Sequence, residues 1–245
     1  MTATAAAPAS RPRGSCTSLL VAAAFVGWAA PARAEVGATV SVYSDLRFRG
    51  YSLSEGRPVG ILDFVYDDQS GFYAGASATG VLSRGGDPAP LGLQLTGGYA
   101  KRLASGTTLD FGITHSSYSH YSSGARGSSY TEIYAGIARG ALSSRIYLSP
   151  HYFERGRWSA YAEVNGSVSP ARKWSIDGHV GMHVPLRTPL NERYRAEVDW
   201  RIGVSRELGR LSLHAAWSDG TPGYDFYRGC RHSRSALVLG ATWIL

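Results

Sequence analysis

The chain has 245 residues, a formal charge of +7, and 30 glycines, 15 tyrosines and 6 tryptophans against only 2 methionines. Outside the N-terminus no segment approaches 18 consecutive apolar residues, which excludes helical membrane spans, and no long stretch repeats every 3.6 residues. Alternation with a period of two dominates instead, so the expected class is all-β, as either a secreted sandwich or a transmembrane barrel.

In chain order, Arg11 and Arg13 precede the apolar run from Leu19 to Ala30, and Pro31-Ala32-Arg33-Ala34 follows. This is the pattern of a secretory signal, with cleavage expected between Ala34 and Glu35. The run is about 12 residues, short of the roughly 20 that an uncleaved spanning anchor would need. Residues 1–34 are therefore assigned to the signal and 35–245 to a single β domain. Cleavage removes three arginines and no acid, lowering the formal charge to +4, and it removes Cys16, leaving Cys230 without an internal disulfide partner.

The first expected strand is 13 residues long. It sets Val36, Ala38, Val40, Val42, Leu46 and Phe48 on one face and Thr39, Ser41, Tyr43, Asp45, Arg47 and Arg49 on the other. Eleven further strands follow with the same split. Asp63 opposes Leu62 and Phe64; Tyr73 opposes Phe72 and Ala74; Gln94 opposes Leu91, Leu93 and Leu95; Asp110 opposes Leu109 and Phe111; Glu132 opposes Ile133. Beyond these, Arg145 opposes Ile146, Glu163 opposes Ala162 and Val164, and Asp177 opposes Ile176. In the tenth strand Arg195, Glu197, Asp199 and Arg201 alternate with Tyr194, Ala196, Val198, Trp200 and Ile202. Four charges behind one apolar row need either partners or water, and a wet lumen supplies water. The eleventh and twelfth strands carry Trp217 and Trp243.

Connections alternate between tight turns and longer segments at 50–57, 82–90, 118–129, 185–193 and 219–234. The exception is a short joint near Glu154 to Arg157. An even strand count with alternating connections places both termini at one rim, expected to be periplasmic. The outward rows hold no Asp, Glu, Lys or Arg, as lipid contact demands, and a backbone spanning lipid must close into a ring without edges. The expectation is a single antiparallel up-and-down barrel of about 12 strands in the bacterial outer membrane. Its lumen would be lined by Asp45, Arg47, Arg49, Asp63, Asp110, Glu132, Arg145, Glu163, Asp177, Arg195, Glu197, Asp199 and Arg201. Trp158, Trp174, Trp217 and Trp243 fall near strand ends and are expected to form an aromatic girdle at the head groups. The terminal run to Leu245 reads as a sorting signal for barrel-assembly machinery.

Ser44-Asp45-Leu46-Arg47-Phe48-Arg49-Gly50-Tyr51-Ser52-Leu53-Ser54, with Asp63 and the Ser70 to Gly75 hairpin, resembles the opening motif of the TorF porin family. The resemblance is specific over about residues 40–80. It implies a 12-stranded outer-membrane barrel acting as a channel for ions or small polar solutes. His179 and His183 with Asp177 suggest metal chemistry, but His-x-x-x-His along a strand separates the rings by some 13 Å. His115 and Ser117 are the candidates for a lipid hydrolase, with no acidic or amide orienter on their face. The basic, aromatic segment Asp219 to Arg234 would suit a surface adhesin with a closed lumen. No catalytic role, cofactor, metal or nucleic-acid partner is expected; the expected partners are outer-membrane lipid and the solutes.

Overall fold

The computed structural model describes residues 34–83, 85–119, 128–153, 155–187, 196–221 and 235–245. The expected signal segment, Arg195 and Cys230 lie outside them, as does most of Asp219 to Arg234. The wall is built from β1 (Glu35–Tyr43), β4 (Val59–Asp67), β5 (Phe72–Leu82), β6 (Pro88–Arg102), β7 (Thr108–Tyr118) and β8 (Ser128–Arg139). It continues through β9 (Leu142–Ser149), β10 (Trp158–Ala171), β11 (Trp174–Arg187), β12 (Glu197–Leu208), β13 (Leu211–Gly220) and β14 (Ala236–Ile244). Each strand pairs antiparallel with its neighbours, and β1 pairs with both β4 and β14, closing a 12-stranded barrel. A second layer, which a sandwich would require, is not present among the described residues.

Side-chain alternation explains why the ring closes with this face outward. Val40, Phe64, Leu95, Ile113, Ile133, Ile146, Val180, Ile202 and Leu239 all lie exposed on the outside, where they form a broad apolar belt. The polar alternates point inward. At the strand ends, Trp158 and Trp217 face outward at one rim and Trp174 and Trp243 at the other. Arg206 also lies outward, close to the rim, with its guanidinium 5.1 Å from the Trp174 ring centroid.

The rim carrying Glu35 and Leu245 has connections of at most five residues, namely 68–71, 103–107, 140–141, 172–173 and 209–210. The opposite rim, here the loop rim, carries 44–58, 83–87, 119–127, 150–157, 188–196 and 221–235. The expected short joint near Glu154 is in fact the eight-residue connection 150–157, because β9 ends at Ser149 and β10 begins at Trp158. Conversely, the connection expected at 82–90 shrinks to 83–87, since pairing continues to Leu82 opposite Pro88.

Two strand readings need correction. The first strand does not run to Phe48: β1 stops at Tyr43, and Leu46 and Phe48, expected to face lipid, are 1% and 8% exposed. Residues 44–58 instead turn into the lumen and form the small hairpin β2 (Arg47–Phe48) and β3 (Tyr51–Ser52). Leu91 also points inward, at 2% exposure, although Leu93 faces out. The register between β5 and β6 shifts there, with Thr79 opposite Gly92 and Gly80 opposite Pro90, so Leu91 is the extra residue of a bulge.

Candidate functional site: the lumen and its inward hairpin

Residue chemistry dictates the hairpin. Arg49 and Gly50 take φ of 48° and 79° between the paired Phe48 and Tyr51, the two successive left-handed residues of a type I′ turn. Glu55 and Gly56 repeat this at 56° and 70°, with Arg57 N donating to Ser54 O at 3.1 Å. Asp45 ties the two ends together: its Oδ1 accepts from Ser52 Oγ at 2.5 Å, Ser54 Oγ at 2.8 Å and Gly56 N at 3.2 Å, while Oδ2 pairs with Arg47 Nε. Ser54 Oγ in turn accepts from Leu46 N at 2.9 Å. The apolar hairpin residues Leu46, Phe48 and Leu53 bury against Val59, Ile61, Val81 and Leu91 of the wall and Tyr130 of β8. Ordinary core packing thus holds the hairpin in a lumen that is otherwise polar.

The tip crosses to the far wall. Arg49 Nη1 and Nη2 donate to Glu132 Oε1 and Oε2 of β8 at 3.0 and 2.7 Å, a bidentate pair whose side chains are almost fully buried. Its guanidinium lies 4.0 Å from the Tyr161 ring centroid, 4.8 Å from Phe48, 5.2 Å from Tyr152 and 5.5 Å from Tyr147. Burial works against the charge, but Glu132 and the nearby tyrosines outweigh it and hold the Arg49 pKa well above its ordinary value. Tyr51 Oη donates to Glu197 of β12. Gly50 packs so closely on Asp199 that a Cβ there would lie 3.0 Å from the Asp199 Cβ. Tyr152 and Phe153 of the 150–157 connection pack against Tyr130, Tyr152 edge to face and Phe153 tilted, and Tyr152 lies tilted against His183 with centroids 4.7 Å apart.

The expected lining residues therefore fall into two groups. Asp45, Arg47 and Arg49 lie on the hairpin, not on a wall strand. The others described, Asp63, Asp110, Glu132, Arg145, Glu163, Asp177, Glu197, Asp199 and Arg201, lie on wall strands and face inward. They are drawn into local pairs. Arg145 binds Asp110, which also accepts from Tyr73 Oη at 2.6 Å; Arg201 lies 3.3 Å from Asp177; Thr39 Oγ1 reaches Asp63 at 3.5 Å. Tyr147 Oη donates to Glu163 at 3.3 Å, and the other Glu163 oxygen is buried without a hydrogen-bond partner. Of the hairpin arginines, Arg49 pairs with Glu132 and Arg47 with Asp45.

His179 is held by Asn165 at 2.7 Å and Asp199 at 3.0 Å, while His183 turns to Tyr152, so the two rings serve different partners. His115 lies on the outer face and shares a hydrogen bond of 2.9 Å with Thr131. Between the hairpin base and β11 to β14 a cavity of about 50 Å³ remains, lined by Tyr43, Asp45, Arg47, Asp177, Arg201 and His214 among others, with room for a few waters.

Residues 28–243 match the model of a family described as "Bacterial protein of unknown function (Gcw_chp)". The chain belongs to that family. Among curated proteins nothing matches. Among solved structures it is similar to the NanC porin, with a TM-score of 0.54 at 10% identity over 86% of this chain and 100% of that one. It is also similar to the KdgM porin, with a TM-score of 0.52 at 8% identity over 84% and 98%. An outer-membrane channel from Pseudomonas putida F1 aligns with a TM-score of 0.50 at 12% identity over 89% and 97%. At these identities the likeness is one of fold.

Alternation assigns Tyr43 and Tyr73 to the inner face but carries no sign of what the inward tyrosines pack on. Tyr43, Tyr73 and Tyr134 each sit opposite a glycine of the neighbouring strand, respectively Gly240, Gly98 and Gly112, and Tyr161 leans over Gly181. The signal was present as glycines recurring at inward positions, which a strand otherwise disfavours. The hairpin also had a signal, in the spacing of Arg49-Gly50 and Glu55-Gly56, since two left-handed pairs six residues apart cannot continue a straight strand.

Proposed function

We propose that this chain is an outer-membrane channel for ions or small polar solutes, with the 44–58 hairpin as its constriction. The observation that carries the reading is a closed ring with an apolar outside and a charged inside, narrowed by a segment tethered to the wall at both ends. The fold shared with porins supports it, as does the resemblance of Ser44 to Ser54 to the TorF motif. In this reading residues 1–34 are the export signal, the rim with the chain ends faces the periplasm, and β14 is presented to the assembly machinery. The four outward tryptophans sit at the head groups. Asp45, Arg47, Arg49 and the inward wall charges line the path. His115 and Ser117 share the outer face without an acidic orienter, which argues against hydrolysis.

The buried hairpin favours a second reading, a barrel with a permanently closed lumen that works through its surface. Single-channel recording of the refolded mature chain in planar bilayers separates the two. Ion-selective steps that change with Arg47→Ala and Arg49→Ala support the channel; membranes that stay silent for all three proteins refute it.

A further inference from the structure

Arg49 enters a place already furnished for a cation. Most of that furniture belongs to the wall: Glu132 on β8, Tyr147 on β9, and Tyr161 and Glu163 on β10, all nine-tenths or more buried. The hairpin adds only the guanidinium itself and the Phe48 ring. Glu132 presents both oxygens to the guanidinium fork, and Tyr161 lies 4.0 Å from it. A compact ammonium fits such a fork-and-face arrangement less well, because it lacks two parallel donors and a flat face. Glu163 adds a buried carboxylate oxygen without a partner. Elsewhere in the described lumen Arg47 pairs with Asp45, Arg145 with Asp110 and Arg201 with Asp177.

We propose that the inner wall of β8 to β10 is a guanidinium-recognition site, occupied from within the chain by Arg49 and taken over by small guanidinium-bearing solutes that displace the tip of the hairpin. This deepens the channel reading and rests on it: the site names the solute class and makes the solute the key to the constriction. A guanidinium that replaces Arg49 recovers the bidentate pair and the contacts with Tyr147, Tyr152 and Tyr161, so the tip loses its hold on the far wall while the apolar base of the hairpin stays packed.

The test uses the refolded mature protein in planar bilayers, with methylguanidinium as the probe. Arg49→Ala is expected to raise conductance over the wild type; millimolar methylguanidinium should raise the wild type by freeing the tip and lower Arg49→Ala partway by occupying the emptied site, with tetramethylammonium much weaker in both. Adding Glu132→Gln should weaken the block about tenfold or more, the size expected for losing a charged bidentate pair. Unchanged conductance on adding methylguanidinium, or equal block with Glu132→Gln, overturns the site while leaving the channel standing. If Arg49→Ala is silent along with the wild type and Arg47→Ala, the channel reading fails, and calorimetric titration of Arg49→Ala in detergent decides the site by the presence or absence of saturable heat. Should Arg49→Ala not fold, Arg49→Lys keeps the charge without the fork. It should respond to less methylguanidinium than the wild type, and an equal response overturns the proposal.

Discussion

Gly240 lies opposite Tyr43 on the seam where β14 meets β1. A Cβ built there would be 2.1 and 2.2 Å from two Tyr43 ring carbons and 3.0 Å from Val42 O. The ring is 6% exposed, and its hydroxyl holds Thr242 Oγ1 at 3.1 Å, so it cannot swing aside freely. Gly240→Ala should therefore destabilise the barrel by about 1–3 kcal/mol, the usual cost of overpacking, outweighing the roughly 0.5–1 kcal/mol that alanine gains over glycine in a strand. Gly178→Ala is the matched control, because nothing lies within 4 Å of its Cβ, and it should be neutral or slightly stabilising. Urea unfolding in detergent micelles, followed by tryptophan fluorescence, measures both. A double-mutant cycle with Tyr43→Ser should remove most of the Gly240→Ala penalty. If Gly240→Ala is as stable as Gly178→Ala, the ring does not need the glycine and the packing argument is wrong.

The bulge on β6 predicts opposite outcomes for two nearby leucines. Leu91→Ala should cost about 2–5 kcal/mol by opening a cavity beside the hairpin, and Leu93→Ala clearly less in the same unfolding assay. Ile113 faces outward in the middle of β7, so Ile113→Arg should cost about 2–4 kcal/mol in lipid vesicles, a penalty that a lumen-facing substitution such as Gln94→Arg escapes. Mass spectrometry of the exported protein should find Glu35 at the N-terminus; a mature chain retaining residues before Ala34 would contradict the signal assignment.

Much of the wall was legible because a wall strand has two environments and a period of two. An apolar outer belt on one side and a polar lumen on the other set Val198, Trp200 and Ile202 apart from Asp199 and Arg201 whatever the neighbouring strands do. The hairpin was not legible in that way. From Asp45 to Ser52 the same alternation continues, but Leu46 and Phe48 answer to an apolar patch inside the barrel, built by Val59, Ile61, Val81 and the bulged Leu91. Periodicity reports which residues share a face and cannot say whether that face meets lipid or a buried cluster. The partners of Arg49 were hidden for a related reason: Glu132 is 83 residues away, and only the closed ring brings β8 opposite the end of β1.

That distance bears on how the molecule is assembled. The hairpin is fixed at its tip by Glu132 and by Glu197, which lies 146 residues from Tyr51. Both acids reach the tip only when their strands have joined the sheet, so the tip cannot dock on a half-formed sheet, and these high-separation contacts come late in folding. Its stem is different, since β1 and β4 are direct neighbours and lie close from the start. The docked tip is thus a report that the cylinder has been completed. A chain caught before closure would carry a loose, cationic, glycine-hinged arm accessible to protease, and resistance to cleavage around Arg47 and Arg49 would date the final step of maturation.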